Sequence, residues 1–160
     1  MQNPFEETPA RWESLPSWLL GQTAGHAQRL VGDGFSSVGA RGYHYRLLAA
    51  LEDFGPASQA ALGRRCGIHL SDMVATINEL ADGGLVERAP DPSDRRRNII
   101  SLTSAGKRQL RRLEKRLAEC QNELLAPLSL EERQGLTEVL SRLLDHHNRH
   151  IGTPTSRGAD

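Results

Sequence analysis

The order of four short segments in the middle of the chain constrains the fold more than any other feature. Apolar residues spaced three and four apart predict two helices, over residues 59–66 and 70–82, with a glycine turn between them. Two segments rich in Val, Ile and Leu follow at once, at residues 85–89 and 98–102, and a stretch rich in Pro, Ser and Asp joins them. These two segments predict a β-hairpin with a long tip. The sequence therefore predicts a mainly α fold with one small β-hairpin.

End signals support the two central helices. Ser58 can cap the first of them, and Gly67 can end it in the left-handed conformation. In the second helix, Met73, Ile77 and Leu80 recur at spacings of four and three, which indicates that they face a core. The opposite side of this helix is therefore expected to face solvent.

Two longer helices are predicted before this central unit. The glycine-rich segment 32–42 is expected to break the first helix, and Gly55 to end the second. The apolar stripes are Leu15, Trp18, Leu19, His26 and Leu30 in the first helix, and Tyr43, Leu47, Leu48, Leu51 and Phe54 in the second.

Two further helices are predicted after the hairpin. Thr103 can cap the fifth helix, and Ser129 with Glu132 forms a capping box for the last one. The fifth helix carries Leu110, Leu113, Leu117, Cys120 and Leu124, and the last carries Leu136, Val139, Leu140, Leu143 and Leu144. The first of these stripes predicts a heptad-like seam for a partner helix. Together the stripes exceed what one small lobe can bury, which predicts a dimer.

Positive charge is concentrated around the hairpin, although the chain as a whole is neutral. Residues 88–116 contain ten Lys or Arg and three acids, a net charge of +7, so the rest of the chain carries −7. Arg95, Arg96 and Arg97 stand in a row at the predicted tip. Such segregation is typical of a surface that binds a polyanion. The alternative is a solvated charged helix with a solubilising loop tip.

The combination of helices, hairpin and charge predicts DNA binding. In a helix-turn-helix the second helix enters the major groove, where the base edges present a distinct pattern. A hairpin beside it can bring its tip to the backbone or the adjacent minor groove, and arginine suits that narrow, negative groove. Ser58 and Gln59, at a helix N-terminus, either donate to a phosphate or act as a plain cap.

Three motifs give the segment 58–106 a resemblance to a known family. They are Asp94-Arg95-Arg96 at the tip, Leu102-Thr103 with Gly106 after it, and Gly84-Leu85-Val86 before it. The segment resembles the winged helix-turn-helix core of the MarR family of bacterial transcriptional regulators, and the similarity in layout extends over residues 15–150.

The resemblance implies a homodimer on a pseudo-palindromic operator. Residues 14–35 and 103–151 would form a helical dimerisation platform, and residues 41–102 a winged helix-turn-helix DNA-binding lobe in which the hairpin is the wing. Arg96 would enter the minor groove, oriented by Asp94. Many family members release DNA when a small phenolic or anionic molecule binds between platform and lobe. The chain is therefore expected to be a repressor that such an effector releases.

The expected DNA-binding residues lie at two helix starts and at the wing tip. They are Ser58, Gln59, Leu70, Ser71, Asp72, Ala75, Arg95, Arg96 and Arg97. Family members often have Arg or Lys near the position of Ala75. Base recognition is therefore expected to rely on Ser71, short contacts and the wing.

Five residues on the first two helices are candidates for an effector pocket. They are Trp18, His26, His44, Tyr45 and Arg46. Aromatic rings and an arginine suit a small aromatic or anionic ligand. The alternatives are core packing for the two histidines, and core or dimer packing for Trp18.

No metal site and no cofactor are predicted. His146, His147 and His150 lie near the end of the last helix, where cationic side chains are favoured; the alternative is a zinc site. Cys66 stands where relatives carry a buried Leu, which favours a packing role. The first helix lacks the cysteine of the hydroperoxide-sensing members. Neither Cys66 nor Cys120 is therefore expected to be a redox switch.

The chain ends and the missing motifs restrict the functional class. Residues 1–13 are predicted to form a flexible arm and residues 152–160 a disordered tail. Neither a signal core nor an apolar run of membrane length is present, so we expect a cytoplasmic, nucleoid-associated protein without a membrane partner. The sequence has no P-loop, GxSxG or HExxH motif, and an enzyme is not expected. The alternative to a DNA-binding regulator is a winged-helix protein–protein interaction module without a specific operator.

Overall fold

The structure of the protein is a computed structural model that describes residues 10–151, without the side chains of the last two. Residues 1–9 of the predicted arm and the predicted tail at 152–160 lie outside the described residues. The elements are α1 (Pro16–Ser36), α2 (Gly42–Phe54), β1 (Ala57–Ser58), α3 (Gln59–Cys66), α4 (Leu70–Asp82), β2 (Val86–Pro90), β3 (Asn98–Leu102), α5 (Ser104–Leu124) and α6 (Leu130–Ile151). The predicted mainly α fold with a β-hairpin is confirmed. Within residues 10–151, no helix has both the length and the apolarity needed to cross a bilayer.

The chain divides into two compact units, and the first of them ends at Leu124. Its core is built as the helical periodicity predicts, because Met73, Ile77 and Leu80 of α4 are all buried. The same core holds Leu47, Leu48 and Leu51 of α2, Leu62 of α3 and Ile100 of β3. Phe54 is the exception on the predicted α2 stripe: it is exposed, and the guanidinium of Arg65 lies 4.1 Å from its ring centroid.

The hairpin of β2 and β3, with its tip at residues 91–97, forms the wing. It belongs to a three-stranded antiparallel sheet of order β1-β3-β2, so the prediction of a two-stranded element was incomplete. Ala57 pairs with Ile100 on one side of β3, and Arg88 pairs with Ile100 on the other. Strand β1 has only two residues, which is too short for an alternation of apolar and polar side chains to be detected.

The first helix runs further than the sequence predicted. The segment at residues 32–42 was expected to break it, yet α1 continues to Ser36 and contains Gly32 and Gly34. A Cβ atom on Gly34 would collide with the Sγ atom of Cys120 in α5, so this glycine permits close helix packing. Gly34 is therefore a contact point and not a helix breaker.

The fifth helix begins as predicted, but its apolar seam has a different partner. The N–H of Gly106 donates to the hydroxyl of Thr103 at 2.9 Å, which confirms the cap. Leu110, Leu113 and Cys120 are buried within the chain, where α5 packs against α1 and α2. The prediction that this seam serves a partner helix is therefore corrected: helices of the same chain cover it.

The second unit consists of α6 and the turn before it. The predicted capping box is confirmed, because the Ser129 N–H donates to Glu132 at 2.7 Å and the Glu132 N–H donates to the Ser129 hydroxyl at 3.2 Å. The predicted apolar stripe is exposed along the helix. It comprises Leu136, Val139, Leu140, Leu143 and Leu144.

Candidate nucleic-acid interface

One side of α4 is exposed beside the wing. Ser71, Asp72 and Ala75 lie on this side, whereas the core positions of the helix are buried. Leu70, the first residue of the helix, is 67% exposed, so its apolar side chain is in contact with water. The four residues that the sequence assigned to α4 are thus accessible to a partner.

A cleft on the surface joins the starts of α3 and α4 to the base of the wing. Its lining residues are Ser58, Gln59, Ala60, Arg64, Leu70, Arg97 and Asn98. The Ser58 hydroxyl accepts a hydrogen bond from the Ala61 N–H at 3.3 Å, so Ser58 caps α3 and lines the cleft as well. Of the lining residues, Ala60, Arg64 and Asn98 were not predicted, because none of them belongs to a motif that the sequence could single out. Two arginines with amide and hydroxyl groups make this cleft suitable for a phosphate.

The wing tip is built from two successive turns that aspartates hold. The carboxylate of Asp91 accepts from the N–H and the hydroxyl of Ser93, at 2.8 and 2.7 Å. Hydrogen bonding from the Ser93 hydroxyl and N–H lowers the pKa of Asp91. The Asp94 carboxylate accepts from the backbone N–H of Arg96 at 3.0 Å and lies 3.4 Å from Nε of Arg97. The tip therefore has a defined shape before any partner binds.

The role predicted for Asp94 requires a correction. It was expected to orient Arg96, but its charged partner is the side chain of Arg97, and Arg96 contacts it through the backbone N–H alone. The reason is turn geometry, because an aspartate readily accepts from the N–H two residues ahead. Among residues 10–151, no carboxylate forms an ion pair with Arg95 or Arg96, and both side chains are exposed. These two cations are thus available to a polyanion.

Two arginines from other elements contact the second half of α4. Arg41, just before α2, donates to both carboxylate oxygens of Glu79, and Nε2 of His44 lies 2.8 Å from the same carboxylate. Hydrogen bonds from His44 and Arg41 lower the pKa of Glu79, and the hydrogen bond from His44 has the larger effect. Arg88 of β2 donates to the side chain of Asn78. Arg41, Glu79 and Arg88 were not among the DNA-binding residues predicted from the sequence.

Four of the five residues predicted for an effector pocket, all but Trp18, have separate partners in this chain. His26 pairs with Arg29 at 3.0 Å and His44 with Glu79. Tyr45 stacks on Phe35, with ring centroids 5.7 Å apart. The Arg46 guanidinium lies 5.5 Å from the Tyr43 centroid and donates to the Cys66 carbonyl at 3.5 Å. Across the part of the chain that the structure covers, no hydrogen bond, ion pair or ring contact joins Trp18 or His26 to the three residues on α2.

The cysteines are separate from one another and both are at least half-buried. Burial raises the pKa of the Cys66 thiol, against the opposing effect of Arg46 and Arg65. Cys120 is buried, and its thiol lies 3.6 Å from the Leu30 carbonyl. His146 and His147 meet edge to face with centroids 5.1 Å apart, while the side chain of His150 lies outside the described residues. No group of three metal-ligating side chains occurs in the described part of the chain.

The chain is similar in sequence to known transcriptional regulators. A profile described as "MarR family" matches residues 39–97, which run from the loop before α2 to the wing tip. Among curated proteins, the chain is 32% identical over 99 residues to the candidate regulatory protein for the hcr operon of Thauera aromatica. It is 30% identical over 98 residues to the transcriptional repressor NicR of Pseudomonas putida. The matches cover 62% and 61% of this chain but 60% and 62% of those proteins, so the chain spans less than two thirds of their length.

Solved structures match over more of the chain. A probable transcriptional regulator from Pseudomonas aeruginosa is 31% identical, with a TM-score of 0.72, and the match covers 83% of this chain and 99% of that one. The PcaV regulator of Streptomyces coelicolor, solved in complex with its natural ligand, is 27% identical, with a TM-score of 0.70. That match covers 87% of this chain and 98% of PcaV.

Proposed function

Because this chain belongs to the MarR family of transcriptional regulators, we propose that it is a repressor that binds a double-stranded DNA operator. One observation carries the proposal: the starts of α3 and α4 and the base of the wing line a single cleft on the exposed side of α4. In this arrangement α4 enters the major groove and the cleft receives a backbone phosphate. Arg95 and Arg96 then reach the backbone or the adjacent minor groove.

The operator is proposed to be pseudo-palindromic, because the protein is proposed to act as a homodimer. Residues 14–35 and 103–151 supply the platform and residues 41–102 the DNA-binding lobe. The exposed apolar stripe of α6 supports this division, since five large apolar side chains exposed on one helix face are costly in water. In the first unit, Leu15 just before α1 and Leu19 and Leu20 near its start are also exposed.

We extend the proposal to a small aromatic or anionic effector that releases the DNA. PcaV, which has a natural ligand, supports this part of the proposal. Trp18 and His26 lie on α1, whereas His44, Tyr45 and Arg46 lie on α2, so an effector bound by these residues would lie between the two helices. A protein with this function would act in the cytoplasm, at the nucleoid.

A gel-shift experiment tests the proposed function. The probe is the DNA upstream of the protein's own gene, and the control is a scrambled duplex of equal length and composition. We expect a retarded complex with the upstream DNA at concentrations that leave the control duplex free. Equal binding to both, or to neither, would favour the alternative of a protein–protein interaction module.

A further inference from the structure

The helix that the proposed function places against DNA contains acidic residues but no basic ones. Leu70–Asp82 includes Asp72, Glu79 and Asp82, but no Lys, Arg or His. A carboxylate near the phosphate backbone opposes binding through like-charge repulsion. A helix of this composition therefore needs cations from other elements if it is to approach a polyanion.

The structure brings such cations to Glu79. Arg41 donates from one guanidinium nitrogen to both oxygens of this carboxylate, and the two side chains are 55% and 44% exposed. Nδ1 of His44 lies 3.3 Å from the backbone nitrogen of Arg41, and Nε2 lies 2.8 Å from Glu79. A neutral imidazole therefore accepts at Nδ1 and donates from Nε2 to the carboxylate. We call Arg41, His44 and Glu79 the Glu79 cluster.

A second cation contacts Asn78, the residue next to Glu79. Arg88 donates to the Asn78 amide oxygen, and within residues 10–151 it forms no ion pair with a carboxylate. The neighbourhood of Asn78 and Glu79 thus holds two guanidinium charges and one carboxylate. The Glu79 carboxylate is ionised at neutral pH, as an ordinary carboxylate is, and hydrogen bonds from His44 and Arg41 lower its pKa further. The charge of Arg41 is therefore matched by Glu79, and that of Arg88 is left over.

We propose that Arg41 and Arg88 set the charge of the second half of α4, around Asn78 and Glu79, with Arg41 cancelling Glu79 and Arg88 making the local sum positive. His44 fixes the Glu79 carboxylate in the position that Arg41 requires. This inference rests on the proposed function, because it concerns the same interface. It adds two residues that determine whether an acidic helix can approach the phosphate backbone.

Charge variants give the proposal a distinctive pattern. Arg41→Gln leaves Glu79 without its cation, so operator affinity should fall roughly fivefold per half-site at 0.15 M salt. The slope of the logarithm of the binding constant against the logarithm of salt concentration should become shallower by about one. Glu79→Gln removes the carboxylate and leaves Arg41 available, so affinity should rise by a similar factor with a steeper slope. The double variant restores the charge balance and should bind within about twofold of wild type.

A purely structural role predicts the opposite sign for one variant. If the Glu79 cluster only fastened α2 to α4, Glu79→Gln would weaken DNA binding just as Arg41→Gln does, in step with a lower melting temperature. The matched control is the pair Arg111–Glu52, which joins α5 to α2 at 2.7 Å. Arg111→Gln and Glu52→Gln should each change operator affinity by less than about twofold.

Fluorescence anisotropy on an operator duplex, with melting temperatures measured in parallel, distinguishes the proposed charge effect from a purely structural role of the Glu79 cluster. The expected order of affinity is Glu79→Gln above wild type, wild type equal to the double variant, and Arg41→Gln below both. Weaker binding by Glu79→Gln, or wild-type binding by Arg41→Gln, overturns the inference and leaves the proposed function intact. Absence of DNA binding by the wild-type chain overturns the proposed function and this inference with it.

Discussion

Arg96 has no carboxylate partner within residues 10–151, although its neighbour Arg97 has one. It is exposed at the wing tip, and its backbone N–H is fixed by Asp94. Arg111 on α5, by contrast, is bound to Glu52 and Glu114, both at 2.7 Å. Arg96 is therefore free to bind a phosphate, whereas Arg111 would first have to leave its two carboxylate partners.

Substitution of Arg96 tests the wing directly. Arg96→Ala should cost roughly 1–3 kcal/mol of operator binding per half-site, because a groove-bound guanidinium is lost. Arg111→Ala should cost only tenths of a kcal/mol, since a distant exposed charge is screened. Binding constants from anisotropy measure both. A larger loss for Arg111→Ala would mean that α5, and not the wing, contacts DNA.

Asp94 offers a finer test, because its two carboxylate oxygens have different partners. Asp94→Asn retains an oxygen for the Arg96 N–H but loses the charge that faces Arg97. Asp94→Ala loses both the oxygen that accepts from Arg96 and the charge that faces Arg97. If turn shape is what positions the wing, Asp94→Asn should bind DNA nearly as well as wild type and Asp94→Ala clearly less well. Equal defects in the two variants would assign the role of Asp94 to its charge.

The cysteines are expected to have no part in redox sensing. Burial disfavours the Cys66 thiolate, and Cys120 lies in the contact between α1 and α5. The double variant Cys66→Ser with Cys120→Ser should retain the operator affinity of wild type before and after peroxide, with some loss of stability. Peroxide-induced release of DNA that disappears in this variant would contradict the expectation.

At the scale of elements, Gly34 makes the sharpest prediction about packing. Gly34→Ala should lower the free energy of unfolding by about 1–3 kcal/mol, because the new methyl group meets the Cys120 thiol. Gly32, on the same helix, has no atom of a packed neighbour within 4 Å of the place that a methyl group would occupy. Gly32→Ala should therefore raise stability by up to about 1 kcal/mol through helix propensity. Denaturant unfolding at a fixed chain concentration measures both.

A rescue variant distinguishes the clash from other causes. Cys120→Ala removes the sulfur, so the double variant of Gly34→Ala with Cys120→Ala should be more stable than the sum of the two single effects predicts. Additive effects would show that the two residues do not meet. A Gly34→Ala protein as stable as Gly32→Ala would contradict the packing described for α1 and α5.

Most elements were predictable because each carries its own local signal. Helices α3 and α4 were placed correctly from the Ser58 cap, the Gly67 terminator and the spacing of the α4 core residues. The end of α1 was misplaced because glycine is ambiguous in sequence: it can end a helix or permit another helix to approach. Gly34 has the second role, which only the position of Cys120 reveals.

Side-chain partners were less predictable than elements. The Glu79 cluster joins residues 35 and 38 positions apart, and no periodic pattern connects them. The pairing of Asp94 with Arg97 was missed for a different reason: three consecutive arginines give no sequence signal of which one the carboxylate faces. The assignment of the α5 seam to a partner helix failed because a heptad pattern looks the same whether the covering helix belongs to the same chain or to another.

For the whole molecule, the exposed stripe of α6 predicts a dimer. Light scattering should give twice the 17.6 kDa chain mass at micromolar concentration. Leu140→Lys with Leu143→Lys should shift the mass towards one chain, because two charges enter the apolar stripe. Gln134→Lys, on the polar side of α6, adds a charge without touching the stripe and should leave the dimer intact. A wild-type monomer would contradict the proposed platform.

The salt dependence of DNA binding tests the central claim most directly. Anisotropy with a duplex from upstream of the protein's own gene should show the logarithm of the binding constant falling linearly with the logarithm of salt concentration. Arg95 and Arg96, the two wing arginines without a carboxylate partner in the described residues, would neutralise about four phosphates when both protomers bind, so the slope should be about −3.5 or steeper. A slope near zero, or no binding to any duplex at low salt, would contradict the assignment of α4 and the wing as a DNA-binding surface.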